Sequence, residues 1–312
     1  NEKDEGQANM FNHNTYISDS FHSKFIRNIF LRSSSIQNKW TANSESGSNV
    51  DSIKSHDLWM EDNVYVGGEI GISAGGNTDY DTGARWKDIT IINNVMLAIG
   101  RDQPTNRTLG WNIDATDWDG GLICGNYILH TDNLEVSNLL GIRLNGHSND
   151  VTIAENTIHG LIAPGPSSKT GAISINSEPK SNIHVSENNI QLSGSNMRVV
   201  VSDQVDSIVF ERNKYFTGLD SAEWFRSLGV NYDIDTWRPI SGDTNSTIGQ
   251  DSFLEPKRTF ETYLSSIGLN QSIDDFMEQA VNQSKDNWNP DFTAQAVLAY
   301  IREAYGNVKC SN

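Results

Sequence analysis

Residues 151–156 read Val-Thr-Ile-Ala-Glu-Asn, and this pattern keeps returning along the chain. Its relatives are 58–63 (LWMEDN), 89–94 (ITIINN), 121–126 (GLICGN), 183–188 (IHVSEN) and 208–213 (IVFERN). Each is a short alternating apolar stretch, two further residues and an asparagine. The asparagines stand at 63, 94, 126, 156, 188 and 213. A period of about thirty residues marks a solenoid or a comparable array. Residues 25–28, ending in Asn28, read as an earlier, degraded copy.

Alternation at period two puts Val151 and Ile153 on one face and Thr152 on the other. A strand this short cannot close a core alone, but stacked copies can share one. The asparagine suits a tight corner, since it tolerates left-handed backbone and its amide can bond to the backbone. Stacked in register, successive asparagines could also bond to one another as an internal ladder. A second strand family keeps the same beat: 71–75 (GISAG), 110–114 (GWNID), 141–145 (GIRLN), 171–176 (GAISIN) and 198–202 (RVVVS). A propeller blade would need four strands per period, and a leucine-rich repeat would need regular leucines. The pattern therefore predicts an all-β chain, a right-handed parallel β-helix with one coil per repeat.

The 312 residues divide into a β-helix over 1–217, a wrapping segment over 218–256 and a helical tail over 257–312. Residues 43–50 read as a polar turn, and insertions fall near 75–84, 101–109 and 163–170. Insertions gathered on one side of a solenoid often build its binding face. The aromatic segment with Trp224, Phe225, Tyr232 and Trp237 is expected to cover the open end of the last coil. In the tail, Thr259 and Ser272 read as helix caps, Asn289-Pro290 as the start of a third helix and Gly306 as its end. The chain opens on a polar run with no cap for its first coil, so preceding coils are expected.

Lys and Arg number 23 against 40 Asp and Glu, a net charge of −17. Nucleic-acid binding needs a basic footprint and is not expected. No apolar run is long enough to span a bilayer, and mean hydropathy is −0.50. A polyanionic substrate stays open, since a local basic groove can sit on an acidic protein. Of the two cysteines, Cys124 falls in a repeat strand and reads as a buried apolar thiol. Its alternative is a disulfide to Cys310 in the tail.

Residues 99–121 (IGRDQPTNRTLGWNIDATDWDGG) and the tail stretches 283–288 (QSKDNW), 293–297 (TAQAV) and 300–302 (YIR) resemble bacterial, often marine, right-handed parallel β-helix proteins of the pectin-lyase-like superfamily. That superfamily includes polysaccharide lyases, glycoside hydrolases, epimerases and tailspikes. The resemblance implies the fold and a polysaccharide partner, with secretion. It fixes no catalytic residue.

The residues themselves suggest where chemistry would lie. If Trp111 and Ile113 point inward, Asn112 and Asp114 point out. Arg143 and Asn145 likewise point out, His147 lies just beyond, and Ser174 and Asn176 continue on the next coil. Coils stack about 4.8 Å apart, so Asp114, Arg143 and Asn176 would line one exposed column. A lyase acting on uronate must neutralise the carboxylate, remove the C5 proton and protonate the leaving oxygen. Arg143 suits the first task, and His147, His130 or Tyr80 the others. The plainer reading is that Arg143 merely pairs with Asp114.

A glycoside hydrolase needs two carboxyl groups across the scissile bond. Asp114, Asp117 and Asp119, with Glu69 nearby, offer such pairs, and Trp111 and Trp118 could stack on sugar rings. Asp119 before Gly120 is equally a turn former. The same acidic group is a candidate for Ca²⁺, without EF-hand spacing, and no other metal site is assigned. The expectation is a secreted enzyme cleaving an acidic polysaccharide, foremost a lyase, with Asp114, Asp117, Arg143 and His147 as catalytic candidates. Glu69, Trp111, Trp118, Asn145 and Asn176 are candidates for binding substrate. A glycoside hydrolase and a non-catalytic carbohydrate-binding or tailspike-like module are the alternatives.

Overall fold

A computed structural model describes residues 6–41, 55–76, 86–165, 170–176, 178–194 and 196–310. The expected turn at 43–50, Tyr80, most of the loop at 75–84 and half of that at 163–170 lie outside the described residues. The chain is a parallel β-helix. Among the described residues, the first sheet holds nine strands, including Ile36–Thr41, Ile70–Gly75, Leu109–Thr116, Asn138–Asn145, Gly171–Ile175 and Arg198–Ser202. The second holds seven, including Ser55–Glu61, Trp86–Ile92, Trp118–Cys124, Ser148–Ala154 and Lys180–Ser186. These two are the strand families visible in the repeat. A third sheet, not foreseen, runs through the three or four residues after each asparagine, as in Val64–Val66, Val95–Leu97 and Tyr127–Leu129.

Stacking turns the repeat into continuous apolar columns. Ile72, Ile113, Ile142, Ile173, Val200 and Phe225 are register partners in the first sheet, and all are fully buried. Met60, Ile91, Ile123, Ile153, Val185 and Phe210 do the same in the second. Tyr65, Met96, Ile128, Ile158, Ile190 and Tyr215 do so in the third. Each residue closes over its own copy in the next coil, so one repeat is unstable alone and the array is not.

The asparagine ladder is present. Asn94 donates to Asn126 Oδ1 from its backbone N–H at 3.0 Å and from Nδ2 at 2.9 Å. Asn126 donates in the same way to Asn156, Asn156 to Asn188 and Asn188 to Asn213. Asn28 and Asn63 extend the ladder backwards, so the degraded copy belongs to it. Ser246 Oγ ends it by accepting from the Asn213 N–H at 2.9 Å. The left-handed conformation falls not on the asparagine but on the residue before it: Arg27, Asp62, Asn93, Gly125, Glu155, Glu187 and Arg212. That residue makes the corner, and the asparagine is freed to turn inward.

In its middle strands, Val64–Val66, Val95–Leu97 and Tyr127–Leu129, the third sheet is buried on both faces. Val64, Val66, Val95, Leu97, Tyr127 and Leu129 face the C-terminal helices, packing with Phe260, Leu264, Phe276, Val297 and Ile301. Thr259 caps the helix Phe260–Ser266 and Ser272 caps Ile273–Val281. Asn289-Pro290 opens only a 3-10 turn, Pro290–Phe292. Thr293 caps the last helix, Ala294–Tyr305, because its hydroxyl accepts the Ala296 N–H, and Gly306 ends it in the left-handed region. Cys124 is not a thiol: it forms a disulfide with Cys310, Cα–Cα 5.4 Å. The tail crosses the sheet and brings Cys310 beside the corner, where its N–H donates to Asn93 Oδ1 at 2.9 Å. Arg302 reinforces the docking with a 2.7 Å bond to Asp62.

At the far end, Phe225–Ser227 and Val230–Tyr232 close the first sheet as an antiparallel pair. The helix Ile234–Ser241, capped by Asp233, then lays Trp237 over the last coil, stacked on Phe225 at 4.9 Å. No helix among the described residues is long and apolar enough to cross a membrane.

Candidate functional site

The outward face of the first sheet carries a polar column. Lys39 pairs in register with Ser73, Ser73 with Asp114, Asp114 with Arg143 and Arg143 with Ser174. A cavity of about 630 Å³ opens over this column. Six of the nine candidate residues line it: Trp111, Asp114, Asp117, Arg143, Asn145 and His147. Lys39, Arg107, Thr116 and Glu178 join them.

Arg143 is held on two sides. Its Nε donates to Asp114 Oδ1 at 2.7 Å, and its guanidinium carbon lies 3.9 Å from the Trp111 ring centroid. A cation over an indole face is attracted by the ring quadrupole, more strongly where water is excluded. Trp111 was expected inward and Asn112 outward. Instead Trp111 lines the cavity, while Asn112 is buried and donates to the Leu140 carbonyl at 2.9 Å. The pleat shifts between Asn112 and Ile113, beside glycines in both neighbouring strands. A Cβ on Gly71 would sit 2.5 Å from the Asn112 carbonyl oxygen.

Asp117 sits at the corner after this strand, left-handed at φ 62°. Its Oδ1 accepts the His147 N–H at 2.9 Å. A Cβ on Gly146 would come within 2.0 Å of that oxygen, so glycine is required there for the carboxylate to reach across. The contact places His147 at the cavity rim. From the next coil, the Lys180 ammonium donates to the Gly146 carbonyl at 2.5 Å, the Glu178 carbonyl at 2.7 Å and Asn176 Oδ1 at 3.0 Å. Burial pushes its pKa down to about 8, against the pull of Glu178 and Asp117.

Three binding candidates lie elsewhere. Trp118 is wholly buried, with its indole N–H donating to the Ala74 carbonyl at 2.9 Å, so no sugar ring can reach it. Glu69 is also wholly buried. Its carboxylate takes Arg107 Nη2 at 2.5 Å and the Thr105 N–H at 2.9 Å. It anchors the 101–109 loop and aims Arg107 at the cavity, without lining the cavity itself. Asn176 belongs to the neighbouring column with Asn145 and Thr116, where it bonds to Asn145. Among the acid–base alternatives, His130 lies under the tail with Nε2 2.9 Å from Tyr305 Oη. Asp119 is in the second sheet, in register with Lys87 and Asn149.

The cations Lys39 and Arg107 were missed. Lys39 sits in an irregular early coil, where only the beat of the second strand family could have pointed to it. Arg107 comes from an insertion loop, where periodicity is silent. Burial holds the Lys39 ammonium below the ordinary lysine range, with Asp114 opposing the shift and Arg107 adding to it. Among the described residues, the cluster able to share a metal ion is His22, His56 and Asp57, none of which lines this cavity.

Fold and site together define a parallel β-helix protein with a mixed-charge cavity on one sheet face. Comparison with protein families, curated proteins and solved structures finds no match for the chain.

Proposed function

We propose that the cavity binds and cleaves an acidic polysaccharide by β-elimination. One observation carries this reading: Lys39, Ser73, Asp114 and Arg143 follow one another in a single register column, inside a cavity that Trp111 and His147 also line. On a chain of net charge −17, Arg107 and Arg143 bring cationic charge to this cavity, beside Asp114, Asp117 and Glu178, where a uronate carboxylate would sit. Arg143 and Arg107 neutralise that carboxylate and so acidify the C5 proton. Lys39, whose ammonium burial makes easier to deprotonate, takes the C5 proton as its neutral amine. The C4–O bond breaks as the C4=C5 double bond forms, and His147 gives a proton to the leaving oxygen. Trp111 offers an apolar face to a sugar ring. The Cys124–Cys310 disulfide supports a secreted protein, since such bonds persist in oxidising compartments.

A glycoside hydrolase is the second reading, favoured by two carboxylates, Asp114 and Asp117, on the same cavity. A panel of uronate polymers, sulfated fucans and carrageenans, followed by ultraviolet absorbance and reducing ends together, separates the readings. Both signals rising supports elimination. Reducing ends alone support hydrolysis. Saccharide binding without product leaves a binding module and ends both enzymatic readings.

A further inference from the structure

His22, His56 and Asp57 meet at the corner that leads into the second sheet. Phe21 and His56 form a parallel bridge, and the His22 N–H donates to the His56 carbonyl at 3.0 Å. His22 and Asp57 are both left-handed, φ 55° and 54°, so their side chains leave adjacent coils in the same sense. The result is a convergence on one atom. His22 Nδ1 lies 2.8 Å and His56 Nδ1 3.0 Å from Asp57 Oδ2. One ligating atom from each residue falls within 4.8 Å of the other two.

The solenoid explains the aspartate but not the histidines. The same corner recurs as Asp88, Gly120, Asp150 and Asn182, all left-handed, so an Asx residue there answers to the backbone. In the later coils the position of His56 is filled by Lys87, Asp119, Asn149 and Ser181. Two imidazoles closing on one carboxylate occur at this corner alone among the described coils.

We propose that His22, His56 and Asp57 bind a borderline divalent transition-metal ion of the zinc type. Two imidazole nitrogens and a carboxylate oxygen suit such ions, whereas Ca²⁺ and Mg²⁺ take oxygen ligands. With metal–ligand bonds of about 2.0–2.1 Å, a tetrahedral site has ligand–ligand edges of about 3.3 Å. The two N···O separations of 2.8 and 3.0 Å are already close to such edges. Small rotations of the rings complete the fit, because the His22, His56 and Asp57 side chains are 72%, 31% and 46% exposed. That exposure leaves the remaining coordination positions to water or an incoming ligand.

The test is calorimetric titration of Zn²⁺ into the chelator-treated full chain, with Co²⁺ as a spectroscopic probe of coordination. We expect one ion per chain, unaffected by millimolar Ca²⁺. His22→Asn and Asp57→Asn each weaken binding by about tenfold or more, in line with the loss of a ligand. Neither endangers the fold: His22 is exposed, and asparagine tolerates the left-handed backbone at both positions. His184→Ala, a half-buried histidine of a later coil, leaves affinity unchanged. Absence of Zn²⁺ binding, or binding that survives both variants at full strength, overturns the proposal.

Discussion

Arg143 reaches across one coil step to Asp114, Nε to Oδ1 2.7 Å, while its guanidinium carbon lies over Trp111, 3.9 Å from the ring centroid. The arrangement uses the planar fork of arginine twice, once in a hydrogen bond and once in a stack. Lysine can do neither in the same geometry. Under the eliminative reading, Arg143→Lys keeps the charge and loses its placement. The expected outcome is a fall of about 10²-fold in kcat/KM on uronate substrate, the size typical of removing one preorganised electrostatic group. An unchanged circular dichroism spectrum would tie the loss to the site.

The same pair sets a stability prediction. Asp114 is almost buried and Arg143 largely so. Removing one partner of a buried pair strands the other charge, at about 3–5 kcal/mol, whereas exposed pairs cost about 0–1. We expect Asp114→Ala to cost about 2–3 kcal/mol, between these limits. The double variant Asp114→Ala/Arg143→Ala should cost less than the sum of the singles. Denaturant unfolding of the four proteins in the cycle gives the coupling, and strict additivity would show that the two side chains do not depend on each other.

The ladder makes Asn126 a costly small substitution in the core. Asn126 Oδ1 accepts two bonds from Asn94, and its Nδ2 donates to Ile91 O and Asn156 Oδ1. Asn126→Ala orphans all of these partners in a site closed to water. With about 1–3 kcal/mol for each buried group left unpaired, a loss of more than 3 kcal/mol is expected. Asn28→Ala, at the partly exposed start of the ladder, should cost much less. Equal losses at the two positions, measured by chemical unfolding, would argue against a ladder whose bonds matter most where they are buried.

The ladder was legible because it joins two signals, alternation and a fixed asparagine, that recur in register. The third sheet was not, for a physical reason. Residues 64–66 (VYV), 95–97 (VML) and 127–129 (YIL) are buried on both faces, one against the solenoid core and one against the tail. A strand buried on both faces shows no alternation, and three residues are too few to show a period. The site divides in the same way. Asp114, Arg143 and Asn145 follow from counting outward positions along a regular strand. Glu69 and Trp118 were chosen for residue type and nearness to that strand, yet fold inward, because only the structure shows which corner or loop lies over them. Arg107 and the cysteine pair depend on where a loop and a tail come to rest, which no periodicity encodes.

The disulfide should govern the tail more than the solenoid. It joins residues 186 apart, but the β-helix between them is held by its own ladders. What the bond adds is a fixed end for a chain that otherwise docks through helices on the third sheet. We expect Cys310→Ser to lower thermal stability by about 2–4 kcal/mol, the usual range for a native disulfide. Limited proteolysis should then cut first in the tail, between residue 256 and the terminus, and reductant should reproduce the effect on the parent chain. Early cleavage within the coils instead would mean that the bond holds the solenoid itself.

Acid should loosen the same junction. His130 and His159 lie beneath the last helix, with Tyr305 Oη 2.9 Å from His130 Nε2 and the two imidazoles 5.7 Å apart. Burial, and then its neighbour His159, push His130 down to about 4; burial likewise lowers His159. In the unfolded chain a histidine titrates near 6.5. Between these values the unfolded state binds protons that the folded state refuses, so stability is full above pH 6.5 and falls as the pH drops towards 4. The contribution of His130 is of the order of 2 kcal/mol. His130→Asn keeps a residue that tolerates the left-handed backbone found here, φ 61°, and removes the titration. Melting temperatures taken from pH 7.5 to 4.5 should fall less steeply in the variant than in the parent. Parallel slopes would assign the acid sensitivity to groups away from the helix junction.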